Sequence, residues 1–139
     1  SVTRLLIFYS QTPVAMKNLV ILFLITFRLL SADSVYRKDQ TLLKHFFEYA
    51  NKKEIAKLPI NEKVVAIGRY FLETPYVGGT LDINPQEKLV VNLREFDCVT
   101  FVDNVIALAR LDKYEEQSIP QFQKNLQEIR YRNGKIVDY

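Results

Sequence analysis

Tryptophan is absent, and cysteine, histidine and methionine each occur once in 139 residues. A single cysteine excludes an internal disulfide, so the sequence says nothing of redox compartment. One cysteine and one histidine also exclude the repeated Cys/His spacings of zinc modules, and neither a metal nor a cofactor is expected. Glycine is scarce, with four residues, two of them adjacent at Gly78 and Gly79. Long apolar runs are missing too. Leu19 to Phe27 is broken by Thr26 and closed by Arg28, short of the roughly 20 residues of a spanning helix. No internal repeat or low-complexity tract is present. What remains is a globular composition, 48% hydrophobic and 25% charged, enough for one small domain. The net charge of +3 comes from the first 32 residues, which hold Arg4, Lys17 and Arg28 and no acid. The rest balances, so the basic character does not argue for nucleic acid.

Taken in order, Met16-Lys17-Asn18, the apolar run and Leu29 to Ala32, which offers a small residue before the cut, read as a secretory signal peptide cleaved near Asp33. The alternative is an N-terminal helix or anchor. Ser1 to Ala15 is read as sequence upstream of the true start, or as an unusually long leader. Residues 1–32 are thus a leader and 33–139 a domain, with membrane contact only during export. Ser34 to Lys53 reads as a helix with Asp39 as N-cap and Leu42, Leu43, Phe46, Phe47 and Ala50 on its apolar face. His45 falls on the opposite, solvated face with Thr41, Glu48 and Lys52. Pro59 suits a helix start, and the next helix turns Val64, Val65, Ile67, Phe71 and Leu72 inward, with Gly68 permitting close packing. Pro75 ends that helical region. Asn84-Pro85 signals a turn, and Lys88 to Leu93 reads as a short strand. Ser118 with Pro120 starts a last helix carrying Phe122, Leu126 and Ile129. Asn133-Gly134 ends it or makes a hairpin turn, with Ile136 to Tyr139 extended.

Chemistry concentrates between Pro75 and Phe101. Directly after Cys98 the apolar residues fall at helical spacing (Phe101, Val102, Val105, Ile106, Leu108, Ala109), which puts the cysteine in the first turn of a helix. The unpaired N–H groups and positive dipole end of that turn stabilise a thiolate. The plain alternative is a small buried hydrophobe. Asp97 reads as N-cap of the same helix, accepting from Val99 or Thr100 and turned away from the sulfur. Gly78 and Gly79 can take positive φ and let the backbone approach a ligand, or make a generic turn.

Thr74-Pro75-Tyr76, Gly78-Gly79 and Asp97-Cys98 resemble the signature of the NlpC-type papain-like cysteine peptidases of bacterial cell walls. The aromatic usual before the glycines is missing at Val77, Val99 stands where a small polar residue is usual, and the insert between Thr80 and Phe96 is long. These departures bring the sequence closer to the N-acetylmuramoyl-L-alanine amidase-like branch. The resemblance runs from about Asp39 to the end, with Phe71 to Ala109 its specific part. It implies an α+β, papain-like fold, truncated so that the helical N-terminal half dominates and much of an antiparallel sheet is missing. It implies a periplasmic or secreted, monomeric cysteine amidase acting on muropeptides. Cys98 is its nucleophile, and Tyr76, Asp97, Gly78 and Gly79 line the substrate site. Two other readings stay open: an endopeptidase cutting between D-glutamate and the diamino acid, and a degenerate peptidoglycan-binding module with an inert cysteine. In the resembling enzymes the catalytic histidine follows the cysteine, and none follows Cys98 here. The chain is therefore expected to be an N-terminal part, inactive by itself.

Overall fold

The computed structural model describes residues 37–81 and 87–136. The leader, the 32/33 boundary, Asn84-Pro85 and the last three residues lie outside them. From Lys38 onward the chain forms one compact unit. Its helices are α1 (residues 37–52), α2 (Ile60–Tyr70), α3 (Cys98–Ala109) and α4 (Ile119–Arg130). Single turns of 3-10 helix at Ile55–Lys57, Glu116–Ser118 and Arg132–Gly134 join or follow them. No helix among the described residues is long and apolar enough to cross a membrane.

The 3.6-residue period places the core. Leu43, Phe46, Phe47 and Ala50 of α1, Ile67 of α2, Val105 and Leu108 of α3, and Phe122 and Leu126 of α4 are buried together. Helix α3 packs against both α2 and α4. Phe46 sits at the centre of a ring cluster, with Tyr70, Phe71 and Tyr114 centroids at 5.2, 5.4 and 5.5 Å. From there Phe71, Phe96 and Phe101 continue edge to face at 5.6 and 5.9 Å. This run of rings ties the core to the turn before Cys98, since Phe96 is buried two residues ahead of it.

Four expectations need correction. The α+β, papain-like arrangement is not what the described residues form: they are helical and contain no strand. Residues 88–93, expected to form a short strand, have no regular secondary structure and join no ladder. Their backbone is satisfied by side chains instead, with Val90 accepting from Arg130 and the Leu93 N–H donating to Asp39. Asp39 is not an N-cap, because α1 already includes residues 37 and 38. Val65 on α2 and Leu72 just after it face outward at 53% and 68% exposure, because only the Ile67 and Phe71 side reaches the aromatic core. Lys63 takes a buried place on that helix, its Nζ donating to the Leu111 carbonyl at 3.1 Å. On α3, Val102 and Ile106 share an exposed face with Val99.

Candidate active site around Cys98

Three separate anchors hold the backbone that delivers Cys98. The first lies behind it in sequence. Asp39, on α1 and 4% exposed, accepts the Leu93 N–H at 3.0 Å and the Arg94 Nε at 3.2 Å. The second is a parallel bridge between Tyr76 and Phe96. Phe96 N–H donates to the Pro75 carbonyl at 3.0 Å, and Val77 N–H donates to the Phe96 carbonyl at 2.9 Å. The bridge brings the segment of Tyr76, Gly78 and Gly79 alongside the residues that lead into α3.

The third anchor is the helix start. Asp97 is the N-cap of α3, as its position before the apolar period predicts. Its Oδ1 accepts the N–H groups of Val99 and Thr100 at 3.0 and 2.8 Å. The Asp97 N–H donates back to Thr100 Oγ1 at 2.9 Å, completing a capping box. The Thr100 N–H bond is the largest cause holding the Asp97 carboxyl below its ordinary value. The Thr100 hydroxyl, the Val99 N–H and the positive charge of Arg130 add to it, against an opposing effect of burial. The carboxylate is thus committed to the backbone.

Cys98 itself is the first residue of α3 and is exposed. Among the described residues no acceptor takes its N–H. Tyr76 is 74% exposed, and Val77 and Val99 are exposed as well. Of the two glycines only Gly79 has positive φ, at 73°. A Cβ at Gly78 or Gly79 would meet nothing within 4 Å, so the space beside both is open. His45 is exposed on the face of α1 opposite Phe46 and Ala50, as its helical position indicates. Among the described residues, no group of three or more His, Cys, Asp and Glu side chains could hold a metal ion.

Helix α3 is fixed against α4 by Arg130, whose Nε donates to Asp103 at 3.1 Å. Nearby, the Tyr131 hydroxyl lies 2.6 Å from Glu87 Oε1. Burial and that bond push the phenol up to about 12. A groove lined by Leu89, Lys124, Gln127 and Asn133, among others, runs along α4. Its lining includes none of the residues around Cys98. Sequence reasoning missed Arg94 and Arg130 and gave Asp39 a different role. Their partners lie 27 to 55 residues away, and no local pattern encodes such pairs.

The profile of one protein family, AmiA-like, described as N-acetylmuramoyl-L-alanine amidase-like, matches residues 66–139. Two crystal structures of an N-acetylmuramoyl-L-alanine amidase from Bacteroides uniformis are similar to the chain. One is 40% identical with a TM-score of 0.53, over 58% of this chain and 33% of the other. The second is 38% identical with a TM-score of 0.50, over 58% and 33%. The chain therefore spans about a third of the length of these solved relatives. A search of the curated proteins found no match.

Proposed function

The chain belongs to the AmiA-like, N-acetylmuramoyl-L-alanine amidase-like family, and from that premise we propose that the whole protein is a cysteine amidase of the cell wall. It hydrolyses the amide between N-acetylmuramic acid and L-alanine in peptidoglycan fragments. The observation that carries this reading is an exposed cysteine at the first position of a capped helix, inside the matched region.

The chemistry follows from that placement. The Cys98 thiolate attacks the carbonyl carbon of the lactyl amide, and the carbonyl electrons move onto oxygen. The Cys98 N–H, at the positive end of α3, stabilises that oxyanion. Collapse of the intermediate forms a thioester and expels the L-alanyl amine, which takes up a proton. Water then hydrolyses the thioester and regenerates the thiol. Asp97 keeps the helix start rigid, while Tyr76, Gly78 and Gly79 border the open space beside it. Proton transfer to the leaving amine needs a positioned group, usually worth about a hundredfold to ten-thousandfold. His45 does not supply it, because it projects from the polar face of α1. We therefore propose that residues 33–139 alone react with alkylating agents but do not turn over. The substrate places the work in the periplasm or outside the cell, and the protein acts as a monomer.

The test is incubation of the full-length protein with a defined muramyl tripeptide, read by mass spectrometry. Free N-acetylmuramic acid and a peptide beginning with L-alanine are expected, and Cys98→Ser should abolish both. Cleavage between D-glutamate and the diamino acid would move the bond. Undiminished cleavage by Cys98→Ser would remove the nucleophile.

A further inference from the structure

Arg94 stands four residues before Cys98 and is held by one edge only. Its Nε meets both oxygens of the Asp39 carboxylate, at 3.2 and 3.4 Å. Asp39 is 4% exposed, whereas the Arg94 side chain is 31% exposed. Its backbone is fixed as well, the N–H donating to Asn92 Oδ1 at 3.1 Å. Among the described residues, neither Nη1 nor Nη2 has a hydrogen-bond partner. These two nitrogens form the outer fork of a planar guanidinium, the geometry that matches a carboxylate with two parallel bonds. A buried carboxylate that orients an arginine and leaves its fork partly open to solvent makes a preorganised anion receptor, because ordering the side chain costs nothing further on binding. Glu95 is the nearest acid in sequence, and it lies within 3.5 Å of Asn92 Nδ2.

We propose that Arg94 binds a free carboxylate on the peptide stem of the substrate, and that Asp39 is the positioning residue that aims it. The proposal rests on the amidase reading for the identity of the ligand. Four residues of chain span at most about 14 Å, so a free carboxylate of the D-glutamyl residue, the second beyond the scissile amide, is within reach. Stem peptides carry such groups, and the sugar side of the bond needs none.

The experiment uses full-length protein with Cys98→Ala, so that binding is read without turnover. Calorimetry compares N-acetylmuramoyl-L-alanyl-D-glutamate with the same compound bearing both carboxyls as carboxamides. The acid is expected to bind about tenfold more tightly, as a charge-assisted pair implies. Arg94→Gln should erase that ratio, and Arg94→Lys, which keeps a cation for Asp39 but loses the fork, should retain only part of it. The ratio does not depend on the fraction of protein that is folded. A ratio unchanged by Arg94→Gln, equal binding of acid and amide to the Arg94 protein, or binding of neither would overturn the proposal. Failure of the amidase reading shows separately, as absence of cleavage by the protein that retains Cys98.

Discussion

Gly68 and Gly79 differ in what a methyl group would meet. At Gly68, inside α2, a Cβ would lie 3.6 Å from the Phe101 ring, an ordinary contact. Gly68→Ala should therefore stabilise the protein by about 0.5–1 kcal/mol, the helix-propensity difference. At Gly79 the space is empty but φ is 73°, where any side chain is strained. Gly79→Ala should destabilise by about 1–2 kcal/mol. Urea unfolding of the two variants checks both signs. Asp97 gives a pH-dependent case. Asp97→Ala removes the cap and should cost about 1 kcal/mol at neutral pH. The folded carboxyl titrates below its ordinary 3.8, so its contribution is complete above that value and is lost as pH falls through the lowered one. The gap between wild type and Asp97→Ala in unfolding free energy should narrow only below about pH 4. A gap that stayed constant into that range would contradict the cap assignment.

At the scale of elements, the stretch before α3 finds its hydrogen-bond partners on helices. Leu93 is held by Asp39 of α1, and Val90 by Arg130 of α4. Arg130 also pairs with Asp103 of α3, the two side chains being 7% and 14% exposed. Removing one partner of a nearly buried pair leaves an unmet charge and costs about 3–5 kcal/mol. Asp103→Ala should lose stability on that scale in urea unfolding, and the double variant Asp103→Leu/Arg130→Met should recover part of it. These same contacts explain why a strand was expected and none formed. Lys88 to Leu93 has the residue types of a strand. Whether it joins a ladder depends on which hydrogen-bond partners reach it, and here Asp39 accepts from it and Arg130 donates to it from 54 and 40 residues away. Helix ends were legible for the opposite reason. Pro59, Asp97 and the Ser118–Pro120 pair act on neighbours within one turn.

Across the whole molecule, the order of the site was legible while its anchoring was not. The succession Tyr76, Gly78, Gly79, Asp97, Cys98 is a local signature, and the structure brings its two halves together through the Tyr76–Phe96 bridge. Periodicity alone marked Val65, Leu72, Val102 and Ile106 as apolar but could not say which neighbours cover them, and they are exposed. The central claim is that an exposed cysteine at the start of α3 is the nucleophile of a cell-wall amidase. Its most direct test is capture of the thioester. Full-length protein is mixed with a muramyl peptide, quenched in acid within the first turnover, and weighed intact. The account predicts a mass increase equal to the N-acetylmuramoyl group, located at Cys98 by peptide mapping and absent from Cys98→Ala. Peptide release with no adduct on Cys98, or with an undiminished rate in Cys98→Ala, would contradict it.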